Sequence, residues 1–256
     1  MITSVTNKQV KSIQKLQKSG KERKQTKRFV IEGIRMFKEI PRESLDKIYV
    51  TEQFYEKNKE LFLENEPTDF VTESVFEKLS ETQTPQGVLA TVKMAEYSFE
   101  EMISGKENPL FLVLENLQDP GNLGTILRTA EGAGVDGIIM SRDTVDIYNP
   151  KVVRSTMGAL FRMPFCYVED ILEAVERMKK RGITVYAAHL AGDGFYEKDY
   201  KKATAFLVGN EGNGLTDAIT ELADEKIRIP MMGKVESLNA AIAATLMAYE
   251  ALRQRL

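Results

Sequence analysis

Six short apolar runs after Pro109 constrain the fold of this chain more than any other feature. Segments with a helical pattern separate them, so neighbouring strands cannot be joined by tight hairpins. Alternation of this kind predicts an α/β domain with a mainly parallel sheet that is covered by helices. The runs are LFLVLEN (110–116), GIIMS (137–141), PFCYV (164–168), ITVYAAHL (183–190), TAFLVGN (204–210) and KIRIPM (226–231).

Residues 1–95 carry a second and smaller set of such runs. Strands are predicted at FVIEG (29–33), KIYVT (47–51), DFVT (69–72) and GVLATVK (87–93), with helices near 34–40, 53–62 and 74–81. Residues 96–108 are polar and are interrupted by Gly105, which is typical of a linker. A chain of 256 residues has room for about two domains. We therefore predict domains at 1–95 and 109–256, joined by residues 96–108.

The composition limits the class of protein. Hydrophobic residues make up 43% of the chain and charged residues 29%, which is the balance of a globular protein. No apolar run approaches the roughly 18 residues of a membrane span, and the basic N-terminal segment lacks the apolar core of a signal peptide. Cys166 is the only cysteine, so an internal disulfide and a cysteine-based zinc site are excluded, and no metal is expected. A cytoplasmic protein is predicted.

The charge is distributed unevenly along the chain. Residues 1–40 contain eleven Lys and Arg against three Glu, a net +8, whereas the whole chain carries −3. The other 216 residues therefore carry −11. A basic arm on an acidic body indicates a polyanionic partner that binds at one end of the protein. A solvated helix face is the other explanation for such a lysine-rich stretch.

Three segments of the second block place polar or glycine residues just after a strand, at the edge where ligands of α/β sheets bind. In the first, LENLQDPGNLGTILRTAEGAG (114–134), Asp119 and Pro120 predict a helix N-terminus, and Gly132 and Gly134 end the helix. Asn122 lies in the first turn. Arg128 lies about two turns along and has few charged neighbours in sequence, so it either binds a ligand or only extends from a packed helix.

The second segment, TAFLVGNEGNGLTDAI (204–219), leads a strand through Gly209, Gly212 and Gly214 into a helix. Glycines at such a place let the backbone approach a ligand closely. Their spacing matches neither the dinucleotide fingerprint nor the Walker loop, and Glu211 would repel a pyrophosphate. A cationic or hydroxyl-rich ligand would suit this loop better.

The third segment, IPMMGKVESLNAAIAATLMAYEA (229–251), places a polar cluster in front of an apolar helix. Ser237 is predicted to be the N-cap of that helix. Asn239 is predicted inside the first turn, where a buried amide needs partners from a ligand or from another loop.

Together the three segments resemble the SpoU (TrmH-like) family of RNA ribose 2′-O-methyltransferases, within the SPOUT superfamily. The matching motifs occur in the family's order: Asn122 and Arg128 in DPGNLGTILRTA, then LVGNEGNGL, then IPMMGKVESLNAAIAA. NPKVVRSTMGALFRMPF (149–165) is similar to the segment that lies between the family's motifs. RFVIEGIRM and TQTPQGVLA in the first block resemble the family's ribosomal-protein-like substrate-binding domain, so the resemblance covers nearly the whole chain.

The resemblance implies a fold and a site. The second domain would be a SPOUT catalytic domain with a parallel sheet and a C-terminal trefoil knot, and the first would bind RNA. S-adenosylmethionine would bind in the knot against Gly209, Ile229 and Leu238. A homodimer through the apolar last helix is implied as well. The implied catalytic residues are Arg128, oriented by Asn122, together with Glu211, Ser237 and Asn239.

The role of Arg128 stays open between a general base and a positive group that grips phosphate and stabilises a developing alkoxide. A guanidinium resists deprotonation, which favours the second role. His189, the only histidine, is predicted to be structural.

The resemblance implies methylation of a ribose 2′-hydroxyl in 23S ribosomal RNA, because the N-terminal domain type is shared with enzymes that modify ribosomal RNA. Transfer RNA is the alternative substrate. Two other classes of protein are weighed as well. A nucleotide-dependent oxidoreductase would need a fingerprint that the glycine loop lacks. A non-catalytic RNA-binding protein would have no need to keep all five polar residues of the implied site.

Overall fold

A computed structural model describes all 256 residues, Met1–Leu256, which form two compact units. The first unit comprises Met1–Ala95 and Asp146–Phe161, and the second comprises Glu96–Val145 and Arg162–Leu256. The sequence predicts one continuous second domain over 109–256, so it does not predict that Asp146–Phe161 group with the first unit. Residues 96–108 belong to the second unit and contain the helix Phe99–Ser104, whose Ile103 is buried, so this stretch is more than a connector.

The first unit is built on a four-stranded mixed sheet in the order β1-β4-β2-β3, in which β4 is antiparallel to both of its neighbours. All four strands occur where the sequence predicts them. The strands are Arg28–Glu32 (β1), Leu45–Val50 (β2), Thr68–Phe70 (β3) and Val88–Lys93 (β4). The helices are Lys8–Lys18 (α1), Gly20–Thr26 (α2), Ile34–Lys38 (α3), Glu52–Lys57 (α4), Glu73–Leu79 (α5) and, from the later segment, Pro150–Ser155 (α8).

Helix α1 shows why its sequence folds as it does. The Asn7 side chain accepts a hydrogen bond from the Gln9 N–H and caps the helix. Val10, Ile13 and Leu16 recur at a spacing of three residues and are buried in the core of the first unit. The opposite face of α1 carries lysines and is exposed.

The second unit is built on a six-stranded sheet in the order β10-β8-β9-β5-β6-β7, with every pair parallel. This confirms the parallel sheet and all six strands that the sequence predicts. The strands are Leu110–Leu114 (β5), Gly137–Ser141 (β6), Phe165–Val168 (β7), Thr184–Gly194 (β8), Thr204–Val208 (β9) and Glu225–Arg228 (β10). The helices are Phe99–Ser104 (α6), Pro120–Gly132 (α7), Ile171–Lys180 (α9), Asp217–Leu222 (α10) and Ala240–Arg255 (α11).

Helix α11 brings the end of the chain back from the edge strand β10 to the middle of the sheet. It packs against α7 and against β5 and β9, and the Thr245 hydroxyl donates to the Thr129 hydroxyl over 3.0 Å. At its end Arg255 donates to the backbone oxygens of Tyr200, Lys202 and Asn108. No helix of the chain is long and apolar enough to cross a bilayer.

Candidate active site

The first motif is positioned by the N-terminus of α7, directly after the central strand β5. The Asp119 carboxylate caps this helix by accepting from the Asn122 N–H over 2.7 Å, and Pro120 occupies the first turn. This confirms the predicted helix start. The helix ends at Gly132, the first of the two glycines that are predicted to end it. Asn122 is thereby held in the first turn, with its side-chain amide free to contact other loops.

Glu211, at the tip of the glycine loop, binds back onto the start of α7. Its carboxylate accepts from the N–H groups of Gln118 (3.1 Å) and Asp119 (2.9 Å) and from the Asn122 amide (3.0 Å). Burial works to raise the pKa of Glu211, but these hydrogen bonds outweigh it and hold the pKa below its ordinary value. Glu211 is therefore a charged acceptor whose oxygens are already engaged.

Asn239 connects the third motif to the same point. Its amide Nδ2 donates to Asn122 Oδ1 over 2.9 Å, while its own Oδ1 accepts from the N–H groups of Ala241 and Ile242. Asn239 is thus the N-cap of α11. The predicted N-cap, Ser237, is wrong, because it lies two residues before the cap and its hydroxyl forms no hydrogen bond.

Asn239 also differs from its predicted environment, since it is exposed rather than buried. The expectation that another loop supplies its partner is nevertheless confirmed, because that partner is Asn122. One amide, that of Asn122, therefore donates to the second motif and accepts from the third. The three sequence motifs meet in a single hydrogen-bonded cluster at the carboxyl edge of the sheet.

The glycine loop is closed on itself. Asn210 and Gly214 form a two-residue bridge through backbone hydrogen bonds of 3.0 and 2.9 Å. A Cβ added at Gly209 would lie 2.1 Å from the Gly214 carbonyl carbon and 2.2 Å from the Leu215 nitrogen. Glycine is required at 209 because the loop folds onto its own backbone, a reason that adds to the close approach of a ligand that the sequence predicts.

Arg128 lies outside the cluster. It is exposed on α7 and forms no hydrogen bond or ion pair within the chain, and Asn122 does not contact it through a hydrogen bond. Six residues separate the two along the helix, a rise of about 9 Å. The structure therefore unites Asn122, Glu211 and Asn239, and leaves Arg128 and Ser237 with side chains available to a ligand.

The loop between β10 and α11 joins two of the residues to which the resemblance assigns the cofactor, Ile229 and Leu238. The backbone groups of residues 230–238 form no hydrogen bonds within the chain. Ile229 and Leu238 are half-buried at its two ends, and Met232 is 99% exposed between them. Free backbone donors and acceptors beside apolar side chains fit a purine, which needs hydrogen bonds at its edge and apolar contact on its faces.

The remaining candidate groups for chemistry are not placed for it. Burial raises the pKa of the Cys166 thiol to about 12, so this cysteine is inert. His189 is exposed in the middle of β8, and its Nδ1 accepts from the Ala191 N–H. No group of three or more His, Cys, Asp and Glu side chains is arranged to hold a metal ion.

An all-parallel sheet with three motif loops joined at its carboxyl edge agrees with the methyltransferases of the SPOUT type that the motifs resemble. Residues 109–249 match the SpoU rRNA Methylase family, and the chain belongs to that family. Residues 7–90 match the MRM3-like substrate binding domain. These matches confirm the family that the motifs indicate and the presence of an N-terminal substrate-binding domain.

Characterised relatives and solved structures agree with this assignment. The chain is 33% identical to the 23S rRNA (guanosine(2553)-2′-O)-methyltransferase RlmP of Bacillus subtilis, over 97% of each chain. The AdoMet-bound rRNA methyltransferase of Sinorhizobium meliloti superposes with a TM-score of 0.88, at 32% identity, over 100% of this chain and 98% of that one. The SpoU methyltransferase AviRb of Streptomyces viridochromogenes, in complex with AdoMet, superposes with a TM-score of 0.85 at 28% identity, over 97% of this chain and 98% of that one.

Replacing Glu211 by Gln tests what holds the cluster together. The new NH₂ group would face the backbone N–H donors of α7, so the variant should be less stable by about 1 kcal/mol or less, because the carboxylate is exposed to solvent screening. Since the folded pKa of Glu211 is lowered, its contribution is present above the ordinary value of 4.5 and is lost as the pH falls through the folded pKa.

The difference in free energy of unfolding between wild type and Glu211→Gln should therefore become smaller in acid. Urea unfolding at several pH values measures this difference. Glu221→Gln, an exposed glutamate on α10 with no partner, is the matched control and should show no such gap. If both variants lose the same free energy of unfolding relative to wild type, or if the loss in Glu211→Gln grows in acid, the role of Glu211 is contradicted.

Proposed function

We propose that this chain transfers a methyl group from S-adenosylmethionine to a ribose 2′-hydroxyl in 23S ribosomal RNA. The observation that carries the proposal is the Asn122 amide, which joins the three SpoU motifs in one cluster beside a loop with free backbone groups. RlmP, of nearly the same length, modifies a guanosine of 23S rRNA at this hydroxyl, as its name states. The two AdoMet-bound neighbours support the cofactor.

S-adenosylmethionine would be held by the glycine loop and by the loop before α11. Gly209 places the first loop, and Ile229 and Leu238 offer apolar contact for the adenine. When bound, the cofactor supplies a methyl group on a positively charged sulfur, which is already a strong electrophile. The protein therefore has two tasks, to align the ribose oxygen and to stabilise the charge that develops on it as the hydroxyl proton passes to solvent.

We assign the second task to Arg128. Its guanidinium is exposed on α7, about two turns along the helix from the carboxyl edge of the sheet, and has no partner in the chain, so it is available to a phosphate and to the attacking oxygen. Glu211 is a positioning residue in this scheme, because its oxygens are occupied and its low pKa makes it a weak base. Ser237 has a free hydroxyl and Asn239 fixes the start of α11, so both border the reacting groups.

Three further features belong to the proposal. The return of the chain from β10 to α11, with Arg255 bound to earlier backbone oxygens, supports a C-terminal trefoil knot. A ribosomal RNA substrate supports a cytoplasmic location. Ile242 and Tyr249 lie one heptad apart on α11 and are 49% and 46% exposed, which supports a homodimer through this helix face. Analytical sedimentation measures the mass in solution. An Ile242→Glu/Tyr249→Glu variant with half the mass of the wild type would support the dimer, and a monomeric wild type would contradict it.

The substrate is tested in a strain that lacks the gene. Mass-spectrometric mapping of ribosomal and transfer RNA should show the loss of one 2′-O-methylated nucleotide in 23S rRNA, which returns when the wild-type gene is restored. Restoration by an Arg128→Ala gene serves as the control and should fail. Loss of a methyl group from transfer RNA alone would contradict the ribosomal assignment.

A further inference from the structure

The outer face of α1 carries a row of lysines with no partners. Four of them are spaced three, four and three residues apart, which places them within a sector of about 80° on the helix, opposite the buried residues. Two more lie three residues apart on α2, the next helix along the chain. None of the six side chains forms a hydrogen bond or an ion pair, and all six residues are exposed. The residues of this lysine row are Lys8, Lys11, Lys15, Lys18, Lys21 and Lys24.

The row is not an ordinary solvated helix face. Exposed faces usually mix both signs of charge, and lysines three or four residues apart repel one another and weaken the helix. Helix α1 contains no acidic residue, and Glu22 is the only one in α2. The helices therefore keep an arrangement that is unfavourable for their own stability.

The inner side of the same helices is fixed in place. The Gln17 amide donates to the Leu79 backbone oxygen of α5 over 2.6 Å. Arg23 is 3% exposed and donates through Nη1 to the Leu16 and Gln17 oxygens at the end of α1, at 2.6 and 3.1 Å. Its Nε and Nη2 donate to the Asp146 carboxylate, which neutralises it.

Arg23 thus ties α2 to the free carbonyls of α1 and to the segment that begins at Asp146. The two helices form one rigid support, so the lysine row is a preorganised surface rather than a set of independent side chains. Between Lys8 and Lys18 the row is about 15 Å long.

We infer that the lysine row docks the phosphate backbone of a base-paired segment of the substrate RNA. This inference rests on the proposed function and names the surface and the form of RNA that it takes. A rigid row of positive charges suits the regular phosphates of a double helix, which proteins recognise by shape and backbone contacts. Single strands are bound through exposed aromatic side chains, and α1 and α2 contain none.

The test replaces Lys8, Lys11, Lys15 and Lys18 together by Gln, which keeps helix propensity. Binding of a hairpin RNA of about 16 base pairs is measured at several salt concentrations. The logarithm of the RNA affinity falls linearly with the logarithm of the salt concentration, and this slope is called the salt slope. Loss of four phosphate contacts should make it shallower by about 3 to 4 and should weaken binding about 100-fold or more at about 100 mM salt. The affinity for S-adenosylmethionine should stay the same, and the thermal midpoint should stay the same or rise, because repulsion is removed.

A matched control replaces four exposed lysines on other surfaces, Lys57, Lys180, Lys201 and Lys202, and should leave the slope nearly unchanged. An unchanged slope in the lysine-row variant would overturn the inference, while the proposed function would stand if wild type still methylates RNA. If the lysine-row variant loses as much affinity for single-stranded oligouridine as for the hairpin, the inference that the row binds base-paired RNA is overturned. A wild type that neither binds S-adenosylmethionine nor methylates RNA would instead refute the proposed function.

Discussion

Arg128→Lys is expected to lower single-turnover methyl transfer about 100-fold or more, approaching the loss in Arg128→Ala. Lysine keeps the positive charge but loses the planar fork that contacts a phosphate and a second oxygen together. The affinity for S-adenosylmethionine should change little, because that site is assigned to the other two loops. Saturating RNA and cofactor separate the chemical step from binding.

The alternative for Arg128 is a role in helix α7 alone. In that case Lys would keep nearly normal turnover, and Ala would mainly lower the thermal midpoint. Arg142→Ala is the control, since Arg142 is an exposed arginine of the same unit whose partner, Glu169, is also exposed. Full activity of Arg128→Ala would contradict the catalytic assignment.

Gly209→Ala should weaken S-adenosylmethionine binding by about 5- to 150-fold, the equivalent of the roughly 1–3 kcal/mol that overpacking costs. The added methyl group meets the backbone of Gly214 and Leu215 at about 2 Å, so the loop must open. An open loop also withdraws Glu211 from Asn122, which should lower the thermal midpoint. Gly209→Val should abolish binding.

The same loop offers a matched control for this result. A Cβ at Gly212 meets only the Asn210 side-chain oxygen, at 3.6 Å, so Gly212→Ala should bind the cofactor nearly as wild type does. Calorimetric titration of both variants decides the matter. Wild-type affinity in Gly209→Ala would show that the cofactor site lies elsewhere.

The fold was largely accessible from sequence because it depends on local patterns. Apolar runs bounded by helices predict all ten strands, and the Asp119–Pro120 pair predicts the start of α7. The exchange of Asp146–Phe161 into the first unit was not predictable in this way. It depends on long-range packing, such as the contact of Tyr148 and Phe161 with Phe29, which no local pattern reports.

The site was accessible only in part. The motifs identify Asn122, Glu211 and Asn239 as candidates, but their contacts join residues 89 and 117 positions apart, and no spacing rule gives such pairs. The choice between Ser237 and Asn239 as N-cap is similar. Both residue types cap helices, and only the position at which the backbone turns into α11 selects Asn239. Likewise, the need for glycine at 209 comes in part from the path of its own loop, which no local pattern reports.

The central claim is that this chain methylates a ribose hydroxyl of RNA with S-adenosylmethionine, and one measurement tests it most directly. The purified protein is incubated with methyl-labelled S-adenosylmethionine and with 23S rRNA from a strain that lacks the gene, and the RNA is digested to nucleosides. We expect the label in a single 2′-O-methylnucleoside with wild type, and at least about 100-fold less with Arg128→Ala. Label in a base-methylated nucleoside, or none in the RNA, would contradict the account.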